Sequence, residues 1–280
     1  MKLGELEFHI VTDGSLRLDG GAMFGVVPRP LWERKLPADE RNRVLLGMNC
    51  LLIRSAGKLI LVETGAGDKW DAKHADIYGI GVGERLPQQM AAHGVRPKDI
   101  SLVVNTHLHF DHCGWNTHMV DGRAVPFFSN ARYAVQKGEL EHARNPTEKD
   151  QASFVRENFL PIEEAGRWWL LESDTEIAPG VEVIRAPGHT GHMQCVRLRG
   201  GGETAFFFAD LAPTTAHIAL PWIMAYDLYP LTTLEQKKKW IPQAVREGWL
   251  ALFAHDADIP AARLREEKGR IVADSVQVNG

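Results

Sequence analysis

Three histidines and one aspartate fall within six positions in His107-Leu108-His109-Phe110-Asp111-His112. Imidazole nitrogen and carboxylate oxygen are the ligands that suit zinc and similar borderline divalent cations. A lone histidine at such a place is ordinarily a hydrogen-bonded structural residue. Four metal-type side chains at this spacing predict a metal centre instead. The preceding run Ile100-Ser101-Leu102-Val103-Val104-Asn105 reads as a short buried strand, and Gly114 follows the cluster, so the site sits where a strand gives way to a loop. If the backbone stays extended, His107, His109 and Asp111 share one face and His112 turns in from the loop.

Other strand ends carry matching chemistry. His189 follows the apolar run Val181–Ile184, Asp210 follows Thr204–Ala209, and His255 follows Trp249–Ala254. Loops at strand ends on a rigid sheet are where sites are built, and the shared placement makes these three side chains candidates for the same centre. Cys113 reads as a small buried hydrophobe and His9 as structural. The turn Glu63-Thr64-Gly65-Ala66-Gly67 lacks the lysine and spacing of a phosphate loop.

The elements that must position these residues follow from periodicity and turn signals. Phe8–Thr12 reads as an opening strand ended by Asp13-Gly14, and Met48–Ile53 with Lys58–Val62 as a hairpin. Residues 68–82 read as a polar loop, and Glu84–His93 as a helix closed by Gly94. Val125–Phe128 and Ala131–Val135 suit strands and Lys137–Arg144 a helix. Thr147 is placed to cap a helix to about Asn158. Trp168–Leu171 reads as a buried strand, Cys195–Leu198 and Arg270–Val278 as further strands. Residues 211–231 read as a long ordered loop. Thr233 with Gln236 makes a capping box for a helix to about Glu247, which Pro242 would kink or split. Residues 15–46 are apolar yet broken by Gly20-Gly21, Pro28 and Pro30. They are expected either to pack simply over the core or to form a lid or a dimer interface, in which case Met23 and Phe24 face a substrate pocket that Trp222 and Tyr226 complete. No linker divides the chain, so residues 1–280 are read as one domain of layered sheet and helix.

With 280 residues the chain can bury a large core. Its formal charge is −4, and Lys237-Lys238-Lys239 is the densest basic run, which argues against a nucleic-acid partner. Three widely spaced cysteines make no disulfide framework and favour a reducing compartment. Met1–Glu7 lacks the apolar core of a signal peptide, and no apolar run approaches a membrane span. The expectation is a cytoplasmic protein acting on a small molecule, with no membrane partner.

His-x-His-x-Asp-His, then Gly188-His189-Thr190, Ala209-Asp210 and Ala254-His255-Asp256, in that order, resemble the metallo-β-lactamase superfamily over residues 8 to 278. The resemblance implies an α+β fold, an αββα sandwich of two mixed sheets with helices outside. It implies that His107, His109 and His189 hold one metal, that Asp111, His112 and His255 hold a second, and that Asp210 bridges them. The motifs are most similar to those of the acyl-homoserine-lactone lactonases and methyl-parathion-hydrolase-like enzymes, and a homodimer is implied with them. Three departures stand out. Pro213 occupies the place where such lactonases often carry a substrate-holding tyrosine, leaving Tyr226 or Tyr229 as substitutes. Glu63 stands where many members have aspartate, and is assigned to support a ligand histidine from behind. Gly188-His189-Thr190-Gly191-His192 is one residue short of the usual motif, so His192 is left outside the ligand set.

Two divalent ions, zinc in the first place with iron or manganese as alternatives, would share a hydroxide near neutral pH. The implied chemistry is attack of that hydroxide on a lactone or ester carbonyl, with Asp111 or Asp210 moving the proton to the leaving oxygen. A glyoxalase II-like thioesterase and a phosphotriesterase or aryl esterase are the alternatives within hydrolysis. An iron-dependent oxidase or dioxygenase is the alternative outside it.

Overall fold

The computed structural model describes residues 1–81 and 83–278. In chain order the strands are β1 Lys2–Leu3, β2 Leu6–Asp19, β3 Arg43–Ser55, β4 Lys58–Val62, β5 Leu102–Val104, β6 Thr117–Val120, β7 Arg123–Pro126, β8 Arg132–Gln136 and β9 Trp168–Leu171. There follow β10 Thr175–Ala178, β11 Val181–Arg185, β12 Gln194–Gly200, β13 Glu203–Phe207, β14 Leu250–Leu252, β15 Ala261–Glu267 and β16 Arg270–Ser275. The first sheet has the order β1-β2-β3-β4-β5-β8-β9, antiparallel from β1 to β4 and parallel beyond. The second runs β10 to β16 in sequence order, with only β13 and β14 parallel. β6 and β7 form a separate hairpin.

Alternation explains the layering. In β3 and β4, Leu51, Ile53, Ile60 and Val62 face the second sheet and join Val183, Val196, Phe207 and Leu252 in one core. Their neighbours Cys50, Leu52 and Leu61 face the other way, onto Leu86 and Met90 of the helix Leu86–Ala92 and onto Ile162. Both faces are buried, so these strands read as continuous apolar runs. On the far side, the helix Pro230–Arg246 lays Trp240 and Ile241 over the second sheet, with Phe206 stacked between Trp240 and Trp249 at ring separations of 5.3 and 5.5 Å. This is the αββα sandwich. Among the described residues no helix is long and apolar enough to cross a membrane.

Several elements differ from expectation. β2 does not stop at Asp13-Gly14; it passes through a bulge between Thr12 and Ser15 and continues to Asp19, because Asp13 turns inward to buried partners. Residues 15–46 are thus partly strand, around two short helices, Gly20–Phe24 and Arg29–Trp32. The expected loop 68–82 contains the helix Ala72–Tyr78, capped by the Asp71 side chain on the His74 amide. Thr147 starts no long helix. Its amide and hydroxyl both donate to Asp150, and that turn leads into two 3-10 turns, Gln151–Ser153 and Arg156–Asn158. β9 is an edge strand with half-buried tryptophans, not a buried one. The last long helix begins at Pro230, whose fixed φ suits a first position, rather than at Thr233. It runs unbroken past Pro242, and β16 ends at Ser275.

Candidate metal centre

β5 delivers the cluster to the edge of the first sheet. The chain bends at Thr106 and His107, is extended at His109, then closes into a single helical turn, Phe110–Cys113. Asp111 is therefore on a helical turn rather than on an extended face with His107 and His109, and the turn sets it beside His112. The opposite side of the centre comes from the second sheet: His189 after β11, Asp210 in a 3-10 turn after β13, and His255 after β14.

All seven candidate ligands converge. Three overlapping groups lie within ligand distance of one another: His107, His109 and His189; His107, His112 and Asp210; and Asp111, His112 and His255. His189 Nε2 is 3.0 Å from His109 Nδ1, and His255 Nε2 is 3.0 Å from His112 Nε2. Asp210 sits between these pairs. Its Oδ2 lies 3.3 Å from His189 Nε2, while Oδ1 lies 3.3 Å from His112 Nε2 and 3.2 Å from His255 Nε2. Asp111 Oδ2 is 3.6 Å from His255 Nε2.

The donor set fits divalent cations. His107 Nε2 and Asp210 Oδ1 are buried and have no hydrogen-bond partner. Imidazole nitrogens brought this close, with a carboxylate between them, lower their energy by sharing a cation. Burial pushes the His107 and His109 imidazoles well below their ordinary range, which keeps them neutral with a lone pair free. Burial also opposes charge on His112, but Asp210, Asp111 and Glu63 overcome it and hold that group well above its usual value. Burial opposes charge on Asp210 too, yet His112, His255 and His189 pull its carboxyl well below the usual carboxylate range.

Most of the histidines are oriented from behind. The Gly47 carbonyl accepts from His255 Nδ1 at 2.8 Å, and Asp227 Oδ1 accepts from His189 Nδ1 at 2.9 Å. The Thr106 hydroxyl is 3.0 Å from His107 Nδ1. Glu63 accepts from the Thr106 amide at 2.8 Å through Oε1. Its Oε2 makes a 3.2 Å ion-pair contact with His112 Nδ1 without hydrogen-bond alignment. Fixing one ring nitrogen fixes which nitrogen faces the centre.

Three supporting residues escape sequence reasoning. Asp227 lies in an aperiodic loop and carries no motif. Fully buried Glu139, on the helix Lys137–Arg144, accepts from the Leu108 amide at 3.2 Å and the Thr190 hydroxyl at 2.6 Å, tying together the loops that bear His107, His109 and His189. Asp13 accepts from the amides of Ala66 and Gly67 and from Trp115 Nε1, fixing the turn behind Glu63. That turn packs so tightly on Gly114 that a Cβ there would lie 2.0 Å from the Ala66 carbonyl carbon.

A cavity of about 220 Å³ opens onto the cluster, with Leu18, Met23, Met224, Tyr78 and Tyr226 in its wall. Met23 and Tyr226 thus lie where a pocket residue should. Phe24 and Trp222 do not: Phe24 is sandwiched between the Trp32 and His217 rings with Trp222 edge-on to it, which packs the wall from behind. Tyr229 is half-exposed at the start of the last helix, outside the cavity. His192 covers Gly138, and Cys113 is buried, donating to the Leu108 carbonyl.

Comparison with known proteins agrees with this geometry. Residues 44–260 match the family model of the metallo-beta-lactamase superfamily. An N-acyl homoserine lactonase of Bacillus sp is 30% identical over 154 residues, 51% of this chain and 55% of that protein. One from Bacillus cereus is 29% identical over 243 residues, 81% of this chain and 86% of that protein. The match thus spans about half the length of the first relative and most of the second. Among solved structures, a probable metal-dependent hydrolase from Staphylococcus aureus superposes with a TM-score of 0.91 at 30% identity, over 99% of each chain. The dizinc quorum-quenching lactonase AidC superposes at 0.82 with 19% identity, over 99% of this chain and 96% of that one, a likeness of fold. Strand ends from both sheets, one shared aspartate and a family match over residues 44–260 place the chain in the metallo-beta-lactamase superfamily.

Proposed function

We propose that the protein is a dinuclear-metal hydrolase that opens lactones or carboxylic esters, with zinc as the metal. The observation that carries this reading is Asp210, whose two carboxylate oxygens address different histidine groups. His107, His109 and His189 would hold one ion, Asp111, His112 and His255 the other, and Asp210 both. Such a pair lowers the pKa of water to about 7 and polarises a carbonyl oxygen.

The chain's own groups supply the rest. The apolar wall of Leu18, Met23 and Met224 favours an uncharged substrate and displaces solvent from it. Asp111 and Asp210 both line the cavity, where a carboxylate oxygen takes the proton of the attacking water and passes it to the departing alkoxide. The acyl carbon–oxygen bond breaks, giving one hydroxy acid from a lactone, or a carboxylic acid and a free alcohol from an ester. The names of the relatives, N-acyl homoserine lactonases, support a lactone over other esters.

The shared core of the two sheets supports a single hydrolase domain, with residues 15–46 forming part of the pocket wall. Val26 and Leu31, exposed at 92% and 51%, support a homodimer contact on that segment, which a monomeric mass in solution would overturn. Three buried, unpaired cysteines support a cytoplasmic setting, and the acidic balance supports a small-molecule substrate over a nucleic acid. The test is metal analysis with a hydrolytic screen over lactones, aryl esters, phosphotriesters and glutathione thioesters. Two zinc ions per chain and lactone opening are expected. Activity on the thioesters alone, or one iron per chain with oxygen uptake, refutes the reading.

A further inference from the structure

Two buried carboxamides, as well as apolar side chains, join the two sheets beside the centre. Gln194 opens β12 just past the loop that carries His189, and it is fully buried. Its backbone amide donates to the Thr106 carbonyl at 3.0 Å, and its Nε2 to the Asn105 carbonyl at 2.9 Å. Its Oε1 accepts from Nε2 of Gln136, at the end of β8, at 2.8 Å. One residue of the second sheet thus grips the consecutive carbonyls that lead into His107. The Ala186 amide donates to the Met193 carbonyl at 2.8 Å, which closes the His189 loop at its base.

Asn49 does the reverse from β3 of the first sheet. Its Nδ2 donates to the Phe253 carbonyl at 3.0 Å and to the Asp256 carbonyl at 2.8 Å, on either side of His255. The Asn49 amide donates to the Ala254 carbonyl at 2.8 Å, and the Gly47 amide to the His255 carbonyl at 3.0 Å. His112, the first-sheet histidine of the same ligand group, is fixed within its own sheet. Its carbonyl accepts from the Thr64 amide at 2.8 Å, a hold that Gln194 does not touch. The two clamps share no acceptor.

Apolar packing between sheets is non-directional and leaves their relative position loosely set. A buried carboxamide costs free energy unless both its ends are paired, and once paired it fixes position along the strand. We infer that Gln194 and Asn49 are positioning residues of the metal centre, one for each ion. Gln194 sets the approach of His189 to His107 and His109. Asn49 sets the approach of His255 to Asp111 and His112. This rests on the two-metal reading above, and goes beyond it in giving the spacing of each ligand group to a separate side chain that is itself no ligand.

The test uses the full chain with cobalt(II) alone as the probe, titrated by visible absorption. His255→Ala leaves the three-histidine group intact, and His109→Ala leaves Asp111, His112 and His255. In the His255→Ala background, Gln194→Met is expected to weaken cobalt binding about tenfold and Asn49→Leu by no more than about twofold; in the His109→Ala background the two effects exchange. A general loss of stability would weaken both backgrounds alike and produce no exchange. Thermal midpoints check folding. Where Gln194→Met or Asn49→Leu does not fold, Gln194→Asn or Asn49→Ser, shorter but polar, takes its place under the same criteria. For either residue, equal losses in both backgrounds, or none in its own, overturn its role and leave the two-metal reading standing. No cobalt uptake by the unsubstituted chain or by either background defeats that reading, and the clamps with it.

Discussion

Asp227 shows how one carboxylate behind a histidine can matter as much as a ligand. It accepts from His189 Nδ1, which turns Nε2 of that ring toward His109 and Asp210. A carboxylate in this place both orients the imidazole and raises its basicity. Asp227→Asn keeps an acceptor but loses the charge, and is expected to weaken one metal of the two by about 10- to 100-fold in chelator competition. Equal loss at both sites, or none, would show that Asp227 is only a packing residue. The seven converging side chains were readable because each closes an apolar strand or sits in a dense motif. Asp227 was not, because nothing in the run Leu211–Leu231 fixes which side chain turns inward until the loop is folded.

Strands carried by apolar runs were legible: β4, β5, β11 and β13 fall close to where those runs lie, and β3 contains its expected run Met48–Ile53 but starts earlier, at Arg43. Elements decided by a competing side-chain hydrogen bond were not. Asp150 captures Thr147 and diverts a helix into tight turns, and Asp13 is drawn inward so that β2 bulges and continues. The helix Pro230–Arg246 hides another such contact. Lys237 is fully buried on it and donates to the carbonyls of Ala219 and Trp222, both at 2.7 Å, holding the loop that leads into Met224 and Tyr226. Burial lowers its pKa to about 7, with Asp227 acting the other way. Since the folded pKa lies below the unfolded value near 10.4, the folded chain binds fewer protons between those two limits. Stability due to this residue therefore rises from pH 7 to about 10, and its penalty is full and constant below 7. Lys237→Met removes that slope while leaving two carbonyls unpaired. Urea unfolding at pH 7 and pH 9.5 should show wild type gaining relative to the variant on going up in pH. A parallel pH response in the two proteins would place the lysine's proton elsewhere.

Across the whole molecule, the centre is where the two sheets meet. His107, His109, Asp111 and His112 follow β5 of the first sheet, whereas His189, Asp210 and His255 follow β11, β13 and β14 of the second. Glu139 adds a direct tie between the two sides, through Leu108 and Thr190. Divalent ions bound there would act as cross-links between stretches of the chain from 80 residues apart (His109 and His189) to 143 apart (His112 and His255), and their binding would be folding free energy. At a free concentration of 100 Kd one such site adds about 2.7 kcal/mol, roughly 5–10 °C in midpoint for a chain of this size. Chelation should therefore lower the midpoint by at least that much, zinc should restore it, and Asp210→Ala should lose most of the difference because both ions share that carboxylate. His107 and Asp210 would be left with unpaired polar atoms in the metal-free protein, which sharpens the loss. A wild-type midpoint that ignores chelator, in protein shown by metal analysis to have been stripped, would mean that the seven side chains hold their positions without ions, and the account of the centre as a metal-built joint between the sheets would fail.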